Sequence, residues 1–129
     1  MVPQARFPCP CCGYVVFAEE PGSYAICPIC FWEDDIAQLR FPKVAGGPNG
    51  VSLLDAQRNF AAFGACEVSA RSHVRPAGPS DLRDPGWRPL DPDSEEAEES
   101  VRGEACGRTY PDDPTRLYYW RPTYWRRGA

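Results

Sequence analysis

This sequence has no long apolar run and only one histidine. No uninterrupted apolar stretch approaches the roughly 20 residues of a membrane-spanning helix, and the first six residues show no apolar core of a signal peptide. The chain has a single histidine, His73. Catalytic zinc sites usually include histidine or carboxylate ligands and keep one position open, whereas a site of four cysteines, for which the sequence has the pattern, argues against metal-centred hydrolysis. We expect a cytoplasmic protein that does not enter a membrane and whose thiols stay reduced.

An excess of basic residues is also absent. The 129 residues carry 18 acids and 14 lysines and arginines, for a formal net charge of −4. Residues 1–90 have nine acids and eight bases, residues 91–113 have nine acids and two bases, and residues 114–129 have four arginines and no acid. A nucleic-acid-binding face needs clustered positive charge, so nucleic acid is an unlikely partner.

Proline and glycine are abundant, with fifteen and eleven copies. Both interrupt helices and central strands, and most residues that can build a core precede residue 65. A core this small rarely contributes more than about 3 to 5 kcal/mol, whereas a structural zinc ion can contribute on the order of 10 kcal/mol. The composition therefore predicts a fold that a metal ion or another cross-link must stabilise.

Seven cysteines offer such a cross-link. Four of them form two C-P-x-C turns, here called knuckles, separated by fourteen residues: Cys9, Cys12, Cys27 and Cys30. This spacing and the odd total favour a metal over a disulfide framework. Four thiolates fill a tetrahedral zinc site, which predicts one structural zinc ion. Iron in a rubredoxin-like site is the alternative, although that pattern has glycine after both knuckles and a longer gap.

The three other cysteines have less defined roles. Cys11 is interpreted as a small side chain within the first knuckle, because neighbouring thiolates would raise its pKa and oppose a role as a redox thiol. Cys66 is interpreted as a small buried side chain. A disulfide between Cys66 and Cys106 conflicts with a reducing compartment, and His73 could serve Cys66 as a base only if the fold brought them together.

Between the two knuckles, the pattern of β-branched and aromatic residues predicts a hairpin in which Tyr14–Phe17 pairs with Tyr24–Ile26. Gly13 follows the first knuckle and suits a positive φ angle, whereas Phe31 occupies the matching place after the second, so we expect unequal turns. The segment 32–39 predicts a turn or short helix. Its three acids, at 33–35, are expected to cap backbone amides rather than to form a second cation site.

The clearest helix signal begins after Ser52. Ser52 suits the N-cap, apolar residues then recur at helical spacing over 53–63, and Gly64 suits the C-terminal position. The preceding segment 42–50 lacks the features of a phosphate-binding loop and is predicted to be a surface loop. The expected core consists of rings and aliphatic side chains from the helix and the hairpin: Phe60, Phe63, Val16, Ile26 and Trp32.

The C-terminal part has a different character. A proline-rich stretch at 76–93 leads into an acidic run at 93–104, which is predicted to be a solvated loop or disordered unless a partner orders it. The end of the chain is aromatic and basic. Its candidate interaction residues are Tyr118, Tyr119, Trp120, Arg121, Tyr124, Trp125, Arg126 and Arg127.

Five aromatic rings in this tail are too many to leave in water. One alternative is docking in cis, as an extended strand over the ribbon or the helix, with the arginines paired to the acids at 33–35. The other alternative is docking in trans, because aromatic residues and arginine are frequent hot spots of partner binding. Docking in cis is the favoured prediction.

Four stretches of the sequence together resemble the bacterial cysteine-rich CPCC family: FPCPCCGY at 7–14, ICPICFWEDD at 26–35, GGPNGVSL at 46–53 and NFAAFGA at 59–65. The resemblance covers roughly residues 6–79. It implies a small zinc-binding domain and no particular reaction. The extension beyond residue 79 and the cysteine at position 66 depart from the pattern.

We therefore expect a small α+β fold, with a zinc-ribbon-like two-knuckle β-hairpin and one packed α-helix. Residues 1–79 are predicted to form this domain, and residues 80–129 a proline-rich, acidic, largely irregular extension ending in the aromatic and basic segment. The predicted function is that of a non-catalytic zinc-binding module for a protein partner. A nucleic-acid-binding ribbon is the alternative, followed by a thiol redox protein.

Overall fold

The computed structural model describes residues 5–99 and 110–126. In these ranges the regular elements are strands β1 (Phe7–Pro8) and β2 (Val15–Phe17) and helices α1 (Ile36–Arg40) and α2 (Leu53–Phe63). Two 3-10 helices cover Val68–His73 and Pro114–Leu117. The chain is thus a small α+β protein with a two-stranded antiparallel hairpin, and none of its described helices is long and apolar enough to span a membrane.

The hairpin differs from the predicted one. β1 pairs with β2, with Phe7 opposite Phe17, so the two strands enclose the first knuckle. The expected pairing of Tyr14–Phe17 with Tyr24–Ile26 is wrong. The first knuckle itself reverses the chain, since the Cys9 amide donates to the Tyr14 carbonyl at 2.9 Å, and the other side of β2 is occupied where the Val15 amide donates to the Leu82 carbonyl at 2.8 Å.

The second knuckle lies in an equivalent local ribbon, here called the second ribbon, formed by residues 24–27 and 32–34. Ile26 forms an antiparallel bridge with Glu33. The Tyr24 amide donates to the Asp34 carbonyl at 3.0 Å, and the Asp34 amide donates to the Ala25 carbonyl at 2.8 Å. Each knuckle is therefore the tip of its own short ribbon.

The acids after the second knuckle cap backbone groups, as predicted. Asp35 is the N-cap of α1, and its carboxylate accepts the Gln38 amide at 2.9 Å. The Asp34 carboxylate instead accepts both the hydroxyl and the amide of Ser23, at 2.6 and 3.3 Å. These two acids thus fix the entrance of α1 and the turn before Tyr24.

The helix signal after Ser52 is confirmed. The Ser52 hydroxyl accepts the Asp55 amide at 3.1 Å, and Gly64 ends α2 with a φ of 82°. The loop at 42–50 contains no helix or strand and is mostly exposed. The buried amide of Gln38 organises it, donating to the carbonyls of Val44, Asn49 and Val51 at 3.1 to 3.2 Å.

The predicted core is correct in part, since Trp32 belongs to it and Val16, Phe60 and Phe63 pack against it. Trp32 is fully buried, but Ile26 is 48% exposed, and the two helix rings, Phe60 and Phe63, are only partly buried. The largest fully buried side chains come from both ends of the chain: Trp32, Tyr118, Tyr119, Ile29, Leu53 and Leu117. The apolar tail thus completes a core that the first 65 residues do not fill.

The tail docks in cis, as favoured by the sequence, but with a different conformation and different partners. It consists of a 3-10 helix and turns rather than a strand. Arg121 pairs with Asp84 at 3.1 Å and Arg126 with Glu98 at 3.3 Å, so the predicted pairing with the acids at 33–35 is wrong for both. The acids at 33–35 lie in the second ribbon and at the N-cap of α1. Arg127 lies outside the described residues.

The acidic run is not uniformly solvated where it is described. The Glu96 carboxylate is buried and receives two hydrogen bonds from the Arg88 guanidinium, both at 2.6 Å. Ala97 is also buried, and Glu98 pairs with Arg40 at 3.2 Å. Pairing with arginines of the same chain, which the composition does not reveal, orders this segment.

Gln57 connects the helix to three other parts of the chain. Its buried amide donates to the Pro10 carbonyl at 2.9 Å and to the Tyr119 hydroxyl at 2.8 Å, and it accepts the Leu90 amide at 2.8 Å. The Tyr119 hydroxyl in turn donates to the Arg88 carbonyl. This network ties the tail to the first knuckle.

We predict that Tyr119→Phe lowers the free energy of unfolding by about 1 to 3 kcal/mol, because it leaves buried groups of Gln57 and Arg88 without a partner. Urea unfolding of the full chain measures this change. Tyr24→Phe, at a side chain 59% exposed, is the matched control and should change stability little. Equal stability of both variants would contradict the docking of the tail through this network.

Candidate metal centre

The sulfur atoms of the four knuckle cysteines converge on one point. All four Sγ atoms, of Cys9, Cys12, Cys27 and Cys30, lie within 4.8 Å of one another, and all four side chains are buried. The Sγ atoms of Cys9 and Cys30 are 3.5 Å apart, and those of Cys12 and Cys27 are 3.8 Å apart. The four residues predicted from spacing are therefore brought together.

This geometry fits a tetrahedral metal ion. A zinc–sulfur bond of about 2.3 Å places neighbouring sulfurs of a tetrahedron about 3.8 Å apart. The donor set is all thiolate, without histidine or carboxylate, which suits zinc and also iron. The site is thus positioned to hold one metal ion, with all four coordination positions supplied by the protein.

The two knuckle turns are equivalent, contrary to expectation. Gly13 has a φ of 83° and Phe31 a φ of 73°, both left-handed. The Gly13 amide donates to the Cys9 carbonyl at 2.7 Å, and the Phe31 amide donates to the Cys27 carbonyl at 2.9 Å. The turn therefore imposes the left-handed conformation even on phenylalanine, at a cost of about 1 to 2 kcal/mol.

The residues packed around each turn explain why the first turn has glycine and the second has phenylalanine. A Cβ atom on Gly13 would lie 2.5 Å from the Trp87 ring, so the first turn has no space for a side chain. At the second turn the Phe31 side chain is partly buried against the core and its ring stacks on His73, with 5.1 Å between ring centroids. His73 is thus a packing partner of the knuckle.

The protonation of the thiols depends on burial and on their mutual contacts. Burial raises the pKa of Cys9 and of Cys30, and contacts with neighbouring cysteines contribute further. Burial acts in the same direction at Cys27, but hydrogen bonds from neighbouring thiols and from the Cys30 amide lower its pKa overall. The raised pKa values of Cys9 and Cys30 oppose four thiolates in this pocket, and the positive charge of a bound metal ion would favour them.

The two other described cysteines are not among the four clustered residues. Cys11 is fully buried, and burial raises its pKa. Cys66 is also buried, which raises its pKa to about 12, and its amide donates to the Cys30 carbonyl at 2.8 Å. These features agree with inert packing roles. Cys106, and hence the disulfide considered with Cys66, lies outside the described residues.

Sequence reasoning missed the residues that hold the first knuckle from outside. The Pro10 carbonyl accepts the Trp87 indole at 3.0 Å as well as Gln57, and the Cys12 carbonyl accepts the Arg83 guanidinium at 2.9 Å. Arg83 also lies 4.8 Å from the Trp87 ring centroid. Arg83 and Trp87 lie in a proline-rich segment without hydrophobic periodicity, so the sequence gives no sign that they contact the first knuckle. The one possible signal is Gln57, a polar residue on the apolar face of the helix.

The tail residues proposed for partner binding are mostly inside the protein. Tyr118, Tyr119, Trp120 and Tyr124 are each at most 7% exposed, and Trp125 is partly buried. In this fold the four buried rings contact their own chain. Arg126 is the most exposed of the described candidates, and its pairing with Glu98 occupies part of its charge.

We predict that Cys27→Ser releases the metal and unfolds the region around both knuckles, because a hydroxyl is a weaker ligand in a buried all-sulfur site. Metal analysis and thermal unfolding of the purified variant measure both effects. Cys11→Ala is the matched control, since it changes a neighbouring buried thiol outside the tetrahedron, and it should retain full metal content. Metal loss in the control alone would contradict the assigned ligand set.

A second prediction concerns the first knuckle turn. Gly13→Ala should lower the free energy of unfolding by more than about 1 kcal/mol, because the left-handed backbone opposes alanine and the new Cβ collides with Trp87. Gly46→Ala, at a left-handed glycine with open space around its Cβ position, isolates the backbone cost. If the two variants were equally stable, Trp87 would not constrain the knuckle as described.

Comparison with known proteins agrees with this geometry. No curated protein matches the chain. A family model described as "Cysteine-rich CPCC" matches residues 7–81, a range that includes all four clustered cysteines and ends before Arg83 and Trp87. The chain therefore belongs to the cysteine-rich CPCC family.

Proposed function

We propose that this chain is a non-catalytic zinc protein that works in a reducing compartment as a protein–protein interaction module. The observation that carries the proposal is the cluster of four buried cysteines, whose Sγ atoms lie within 4.8 Å of one another and could supply all four positions of a tetrahedral zinc ion. A metal ion held in this way stabilises a fold and leaves function to the surface.

The other cysteines give little support to redox chemistry. A reactive cysteine needs an accessible thiolate with a lowered pKa. Cys11 and Cys66 are both buried, and burial raises the pKa of each thiol. A thiol redox function is therefore the weaker proposal for the described cysteines.

Charge gives little support to nucleic-acid binding. Among the described residues, seven basic side chains form ion pairs with acids of the same chain, and these are Arg40, Lys43, Arg58, Arg75, Arg88, Arg121 and Arg126. Residues 7–39, which contain both knuckles, have five acids and no lysine, arginine or histidine. A ribbon of this charge repels phosphate.

The proposal is tested by isolating the full chain from its native cells under reducing conditions, without added metal. We expect one zinc per chain and a partner that, once purified, forms a saturable complex with the zinc protein. Iron in the site, recognised by visible absorption of the ferric tetrathiolate, would contradict the assigned metal.

The matched control for partner binding is Cys27→Ser, which removes one metal ligand. Partner binding should be lost in this variant and after chelation of the wild-type protein, because both remove the metal that holds the surface together. A complex that persists in both samples would contradict a zinc-dependent module.

A further inference from the structure

The two edges of the second ribbon differ in their hydrogen bonding. At the outer edge of the 32–34 side, the Glu33 amide donates to the Asn49 side-chain oxygen at 2.9 Å, and the Asn49 side-chain nitrogen donates to the Glu33 carbonyl at 2.9 Å. Asn49 is buried and is held in place by Gln38. Its amide thus pairs with Glu33 as the backbone of a neighbouring strand would.

The opposite edge, at Ile26, is open. Hydrogen bonds from Asp34 to Ala25 and from Cys27 to Trp32 flank the bridge between Ile26 and Glu33. In this antiparallel pattern the amide and carbonyl of the bridge residue point away from the partner strand. Within the described residues neither group of Ile26 has a hydrogen-bond partner. The edge therefore presents one free donor and one free acceptor.

Exposed apolar side chains lie beside these groups. Tyr24 is 59% and Ile26 is 48% exposed. Tyr24 also has a φ of 62°, a conformation that costs a residue other than glycine about 1 to 2 kcal/mol. Strain of this kind at an exposed aromatic residue is typical of functional positions. The strand edge, the two side chains and the strained turn form one continuous feature, here called the Ile26 edge.

The charge around the Ile26 edge defines what can occupy it. Of the three acids of the second ribbon and its cap, Asp34 and Asp35 are buried and accept hydrogen bonds from Ser23 and Gln38, which leaves Glu33 as the partly exposed carboxylate. Glu33 stands directly opposite Ile26 in the bridge, which places the two side chains on the same face of the ribbon. A second copy of this chain would bring the same acids together, so like charges oppose self-pairing.

We propose that the Ile26 edge docks an extended segment of a partner protein, which adds a strand to the second ribbon and carries basic side chains beside apolar ones. This inference rests on the proposed function, since it locates the interaction surface of the module. Backbone hydrogen bonds to Ile26 supply affinity, and contacts with Tyr24, Ile26 and Glu33 supply selectivity.

Other exposed apolar residues lack these features. Leu82 is 70% exposed, but its carbonyl already accepts the Val15 amide at 2.8 Å, so the segment it belongs to covers the edge of β2. Val68 is 66% exposed and lies in a 3-10 helix, which offers no strand edge. Val68 therefore provides a control of similar exposure.

The probe is a phage-displayed library of random linear peptides, selected on the immobilised, metal-loaded full chain. We expect enriched peptides with lysine or arginine alternating with β-branched or aromatic residues. Ile26→Pro removes the free amide, and Tyr24→Gly removes the ring while relieving the left-handed backbone. Each should weaken binding of the enriched peptides by about tenfold or more, whereas Val68→Ala should leave it unchanged.

Tyr24→Gly separates binding from folding, because the substitution should retain metal content and should not lower thermal stability. Acidic peptides, no enriched peptide, or peptides that bind both variants as tightly as the wild type would overturn the proposal. If the native partner binds but tolerates Ile26→Pro and Tyr24→Gly, the inference fails while the proposed module stands. If no partner binds the metal-loaded chain, the proposed function itself fails.

Discussion

The convergence of four thiolates on one point is the constraint on which the rest of this structure depends. Each knuckle is a tight turn whose left-handed residue, Gly13 or Phe31, brings the chain back on itself. The flanking residues then form two short ribbons that are too small to be stable alone. The four Sγ atoms at their shared tip are positioned to hold one metal ion, which would join the two ribbons.

The segment after residue 79 holds the first knuckle in place and fills the core. Arg83 and Trp87 hold the backbone of the first knuckle, and the tail fills the core with Tyr118 and Tyr119. In this arrangement the tail supplies large buried side chains, and Gln57 connects Tyr119 of the tail to Pro10 of the first knuckle. The four clustered cysteines and most of the tail rings are buried, so the proposed partner would meet the exposed surface at the Ile26 edge.

The sequence predicted the features that depend on local chemistry. Cysteine spacing identified the ligand set, Ser52 and Gly64 marked the ends of α2, and the acids after the second knuckle were recognised as caps. Features set by long-range contacts were missed. The hairpin was assigned between the knuckles rather than around each one, and the partners of Arg121 and Arg126 were chosen by charge alone. Asp84 and Glu98 pair with them because of chain geometry, which composition does not encode.

The central claim is that one metal ion is held by four sulfurs and by nothing else. X-ray absorption at the zinc edge of the purified full chain tests it most directly. The account predicts four sulfur neighbours at about 2.3 Å and no nitrogen or oxygen ligand. A nitrogen or oxygen neighbour in the first coordination sphere, or fewer than four sulfurs, would mean an open site and would contradict the account.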